Sequence, residues 1–174
     1  MNKLLVRGLF AAALAFGTVS LTACPAPYTL PTTAGAELTE DFWKSYYPEF
    51  KQDMSWTYAV TSTASGSEGT AEALWKVTEV KDGVATVKMT VKMGETTISD
   101  ETDTLSKKGP GKAASGVKYE KTETVTVAAG EFKDAVKGKA TMDGSETTMW
   151  VAKGVGIIKL ESTGSKMELK AKSF

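Results

Sequence analysis

The 174-residue chain is predicted to form an all-β domain on three observations. From Met54 onward apolar residues alternate with polar ones, the period expected of strands with one buried face. Asp-Gly pairs at 82–83 and 143–144 lie between such runs and signal tight hairpins. Turn residues recur about every ten positions, with no helical segment between them. Together these predict an antiparallel meander of about eight or nine strands, preceded by a short aromatic-rich helix or turn. The sheet is expected to be curved or barrel-like; barrel, sandwich and open sheet stay open as alternatives.

The chain starts with an export pattern. Lys3 and Arg7 supply positive charge, and Leu9 to Val19 form a short apolar run. A membrane-crossing helix needs about 20 apolar residues. The run from Gly8 to Ala23 is shorter and is softened by Gly17, Thr18, Ser20 and Thr22. It is therefore expected to be removed. Leu21-Thr22-Ala23-Cys24 resembles the lipobox of bacterial lipoproteins. That resemblance implies cleavage before Cys24, a diacylglycerol thioether on its sulfur and an acylated amine. The bland alternative for Cys24 is an ordinary buried thiol. The expected organisation is a signal peptide over 1–23, a lipidated Cys with a flexible tether over 24–37, and one β-rich domain over 38–174. The expected location is extracytoplasmic, with the lipid on Cys24 in a membrane. Pro25, not Asp, follows Cys24; by resemblance to lipoprotein sorting in double-membrane bacteria this gives no inner-membrane retention signal, which implies the periplasmic side of an outer membrane where the host has one.

Removing 1–23 leaves about 150 residues, the size of one domain with its own core. Cys24 is the only Cys, so no disulfide framework is possible. Lys3 and Arg7 leave with the signal, so 19 lysines then face 21 acids. No His occurs anywhere in the chain, which removes Ser-His-Asp and Cys-His catalysis and the commonest metal ligand. Losing the sole Arg with the signal, at near-neutral charge, argues against nucleic acid as a partner. No catalytic, cofactor or metal site is expected. Carboxylate-only hydrolysis is the remaining enzymatic alternative.

Residues 25–37, rich in Pro, Thr, Ala and Gly, read as the tether. Residues 38–50 hold Phe42, Trp43, Tyr46, Tyr47 and Phe50. Thr39 is a candidate N-cap, Glu40 and Asp41 suit a first turn, and Pro48 limits the helix to about two turns. The rings are expected to plug one end of the sheet; a membrane- or ligand-facing patch is the alternative.

Strands are expected over Met54–Thr61, Leu74–Val80, Val84–Met93, Glu95–Leu105, Val117–Val127, Phe132–Met142, the run to Val151, Ile157–Glu161 and Lys166–Ser173. The polar Glu95–Leu105 strand is placed near an edge. A two-residue turn at Asp82-Gly83 pairs Lys81 with Val84 and Leu74 with Val91, which would put Leu74, Val80, Val87, Met89, Val91 and Met93 on the core face. The turn at Asp143-Gly144 pairs Ala140 with Thr147, Gly138 with Met149, Val136 with Val151, Asp134 with Lys153 and Phe132 with Val155.

Two stretches resemble a family of exported, β-rich bacterial lipoproteins of unknown function. One is Tyr46-Tyr47-Pro48 with Trp56-Thr57-Tyr58, where members often carry Gly and this chain has Asp53 and Met54. The other is Val127 to Val136 with Trp150 to Lys159, where Lys153 stands at a common Pro. The resemblance implies an all-β exported domain and no activity. Gly130 and Gly154 suit turns or bulges, and Gly156 a close backbone approach.

The expected role is a lipid-anchored, non-catalytic, monomeric domain that contacts an envelope protein or another envelope component. The alternative is a carrier of a lipid or other apolar ligand. A filled core, with methionines packed inward, would favour the first.

Overall fold

The computed structural model describes residues 28–62, 69–106, 116–142 and 144–174. The described chain forms one short helix, α1 (Glu40–Tyr46), and nine strands. These are β1 (Ser55–Ser62), β2 (Gly69–Lys81), β3 (Val84–Met93), β4 (Thr96–Ser106), β5 (Lys118–Val127), β6 (Gly130–Met142), β7 (Ser145–Ala152), β8 (Gly156–Ser162) and β9 (Ser165–Lys172). They make a single antiparallel sheet in the order β4-β3-β2-β1-β9-β8-β7-β6-β5. The sheet is not closed, which decides among the three architectures. It consists of two meanders, β1–β4 and β5–β9, joined where β1 pairs with β9 from Trp56↔Lys172 to Ser62↔Ser165.

The turns behave as their residues require. Asp82 (φ 51) and Gly83 (φ 75) are both left-handed, the signature of a type I′ hairpin. Lys81↔Val84 and Val80↔Ala85 form as expected. Between Val77 and Glu79 the register then slips by one residue. Trp75, not Lys76, faces Met89, and Ala73, not Leu74, faces Val91. A bulge of this kind moves every later side chain to the other face. Ala73 and Val77 are therefore buried and Leu74 is exposed, the reverse of the expectation, while Val80, whose register is as expected, is exposed beside the hairpin turn. Met93 is also exposed, at 50%. Val87 is fully inward, as expected.

The second hairpin keeps its register through Ala140↔Thr147, Gly138↔Met149 and Val136↔Val151. The ladder ends there, so the expected Asp134–Lys153 and Phe132–Val155 pairs are not part of it. Phe132 instead faces Val125 across an irregularity in β5–β6. Asp134 sits at φ 54 in this bulge. Gly154 turns away to donate its N–H to the Tyr46 carbonyl.

The core lies on one face of the sheet, called here the inner face. Trp56, Tyr58, Val77, Val87, Val136, Met149, Val151, Ile158 and Leu169 all point into it. The stretch 28–38, most of it expected as tether, lies against the domain. Gly35 donates to Tyr119 O, Tyr119 to Ala36 O, and Leu38 to Val117 O. These bonds cover part of the β5 edge, whose backbone groups would otherwise be free. Tyr28 meets Phe42 edge-on, with ring centroids 5.8 Å apart.

Candidate binding surface

One end of the inner face is filled by α1 and its flanks. Thr39 occupies the N-cap position without a side-chain cap bond. Lys44 pairs with Glu40 at 2.9 Å. The helix stops at Tyr46 because Tyr47, before Pro48, is extended. Phe42, Trp43, Tyr46, Tyr47 and Phe50 are all buried, so the aromatic cluster is a plug. Phe42 and Tyr46 stack at 4.2 Å. Phe50 lies beyond the helix and packs on Tyr47 instead.

Two polar bonds fix the plugged end. Trp56 Nε1 donates to Val155 O at 2.9 Å, and the Tyr58 hydroxyl to Ile157 O at 3.1 Å. Burial raises the Tyr58 hydroxyl well above its usual range, with the nearby Tyr47 adding to the effect. The Tyr47 hydroxyl is likewise raised by burial, and it has no hydrogen-bond partner among the described residues. Its ring lies directly over Gly156 (φ 89): a Cβ there would stand 2.7 Å from ring carbons Cδ1 and Cε1. The close approach expected of Gly156 is thus made to an aromatic plug residue.

The other end of the inner face is open. Val60, Trp75, Met89, Val91, Leu160 and Met167 pack on the core there while keeping part of their surface in solvent. A cleft of about 210 Å³ lies among Val60, Thr147, Leu160, Ser162, Ser165 and Met167. Met54 and Met149 are buried as expected, whereas Met89 and Met167 line this open half. Another cleft, of about 500 Å³, lies beside the covered β5 edge between Gly35, Tyr119, Lys139 and Glu146.

The outer face of β5–β9 is charged and internally paired. Trp150 is buried there beneath two lysines, with Lys159 Nζ 4.6 Å and Lys137 Nζ 5.4 Å from the ring. Its Nε1 donates to Glu123 Oε1 at 2.7 Å. Hydrogen bonding from Lys121, then from Trp150, holds the Glu123 carboxyl below its usual range. Lys137, followed by Lys139, does the same for Glu120. A carboxylate acting as general acid needs the opposite shift. Nothing in the sequence reading singled out Trp150 as the centre of a charged cluster. The cross-strand alternation of Lys and Glu was the available signal.

Among the described residues no group of three or more acids, His or Cys is placed to hold a metal. No described helix is long and apolar enough to cross a membrane. Cys24, the one predicted site residue, lies outside the described residues, as does the apolar run before it.

Two solved structures are similar to this chain. One is a candidate lipoprotein of Parabacteroides distasonis, 14% identical, with a TM-score of 0.49 over 74% of this chain and 98% of that one. The other is a candidate exported protein of Bacteroides fragilis with a YmcC-like fold, 11% identical, with a TM-score of 0.45 over 74% and 99%. No protein-family model matches the chain, and no curated protein does.

Proposed function

We propose that this chain is an exported lipoprotein, anchored through Cys24, whose β domain binds another envelope component and performs no catalysis. The observation that carries the binding role is the half-open inner face. Its apolar residues continue past the aromatic plug and stop without a cover among the described residues. The absence of His from the sequence, and the downward shifts of Glu120 and Glu123, support binding over acid–base chemistry. The cleft on the open inner face, about 210 Å³, falls below the roughly 300–1,000 Å³ of a small-molecule site, and the larger cleft of about 500 Å³ is edged by the charged Lys118, Glu120, Lys139 and Glu146, which favours a surface contact over a carried lipid.

The anchor and the domain are close together in this reading. Pro25, Ala26 and Pro27 alone separate Cys24 from Tyr28, which already packs on Phe42. At roughly 3.3–3.6 Å per residue, that connection spans at most about 14 Å. The lipid therefore holds the domain against the bilayer, closer than a free tether over 25–37 would.

Intact mass of the membrane-extracted protein tests the anchor. The expected mass starts at Cys24 and carries a diacylglycerol and an acyl chain. Cys24→Ser should leave the protein unprocessed or released from the membrane. An unmodified chain beginning at Met1 would overturn the assignment.

A further inference from the structure

The two edges of the sheet are treated differently. The β5 edge is covered by the chain itself, through the backbone bonds of residues 35–38. The β4 edge pairs only with β3. Among the described residues nothing pairs with its other side. A long free edge is a template for another strand unless it is blunted.

The side chains around this edge select what could add to it. Ser99, Glu101 and Asp103 face Val91, Met89 and Val87, so they lie on the inner face beside its open half. Between Glu95 and Leu105 there are four acids and no base. Asp100 pairs with Lys88 at 3.1 Å, on the outer face. Among the described residues Glu101 accepts only from Ser99 Oγ, and Asp103 only from the backbone N–H of Thr104. Neither has an ion pair among the described residues. A second copy pairing through β4 would set acid against acid, and like charges directly opposite are destabilising.

We infer that the β4 edge is a docking site for an extended basic segment of another polypeptide, added as a tenth strand. Main-chain hydrogen bonds to β4 supply affinity, and alternate side chains supply specificity. Lys or Arg on the inner face would neutralise Glu101 and Asp103. Their aliphatic stems would lie along the neighbouring side chains of β4 while their charges stay in water. This rests on the domain being a binding module and does not depend on the anchor.

The test uses the full-length protein in detergent micelles and a peptide of about eight residues alternating lysine and threonine. Hydrogen exchange should slow in the β4 amides, with β5 unchanged. Affinity should fall about tenfold or more between low and high salt, as screening weakens partly exposed charge pairs. Glu101→Lys with Asp103→Lys should abolish binding while the circular dichroism stays that of the parent, since neither side chain is in the core. A version of the peptide N-methylated at alternate residues should fail to bind. Equal binding by the N-methylated peptide would overturn strand addition in favour of simple charge attraction. Protection of Leu160 and Met167 instead of β4 would overturn the edge but keep the binding module. No binding at millimolar peptide, or β4 protection that rises with protein concentration alone, would also overturn the inference. Intact mass reports the anchor separately, so the two readings fail independently.

Discussion

Gly156→Ala should be among the most damaging single-methyl changes in this domain. The backbone there has φ 89, a region that side-chain-bearing residues enter at a cost of about 1–2 kcal/mol. The new Cβ would also stand 2.7 Å from two carbons of the Tyr47 ring. Tyr47 is buried and held by Trp43 and Phe50, so it cannot swing into solvent. Overpacking of this kind costs about 1–3 kcal/mol. The sum is about 2–5 kcal/mol, or a fall in Tm on the order of 10 °C for a domain of this length. Urea unfolding followed by tryptophan fluorescence measures it. Repeating Gly156→Ala in a Tyr47→Ala background separates the terms, because only the backbone strain of about 1–2 kcal/mol should remain. Equal costs in the two backgrounds, or a cost under about 0.5 kcal/mol in the parent, would refute the contact.

Other outcomes follow from the same packing. Val136→Ala, at a fully buried position facing Val151, should cost about 2 kcal/mol for the lost methyls and the void they leave. Asp134→Ala should cost less than half of that, and Asp134→Gly should be neutral in chemical denaturation, because glycine tolerates the left-handed bulge. Tyr47→Phe should be neutral or stabilising in the same assay, since it removes a buried hydroxyl that has no partner. The lowered carboxyls of Glu120 and Glu123 contribute stability that is present above their unfolded value of 4.5 and is lost as pH falls through the lower folded value. A parent melting curve that drops below about pH 4.5, and a flatter one for the Glu120→Gln, Glu123→Gln double variant, are expected. Native mass spectrometry of the detergent-released protein should find no lipid beyond that on Cys24. A stoichiometric second lipid would favour the carrier alternative.

Local chemistry determined much of this protein without reference to any long-range contact. Nine strands were legible because alternation and turn residues act within a few positions, and a type I′ turn needs only Asp82-Gly83. The aromatic plug was legible because Pro48 stops the helix and five rings in one stretch need burial. Register was legible only near its turns. It held from Ala140↔Thr147 to Val136↔Val151 and failed past Val77, since a bulge adds a residue without changing the pattern of residue types. Leu74 and Trp75, being adjacent and both apolar, gave period-two reasoning no means to choose the inward one. The edge role of β4 could be read from its charge, but the cover on β5 could not, because residues 35–38 reach it from a segment that reads as tether. The pairing of β1 with β9, which joins the two meanders and leaves the sheet open, was decided by tertiary structure alone. Strands more than a hundred residues apart in sequence meet through shared burial of Trp56, Tyr58 and Leu169, and no local propensity encodes that meeting.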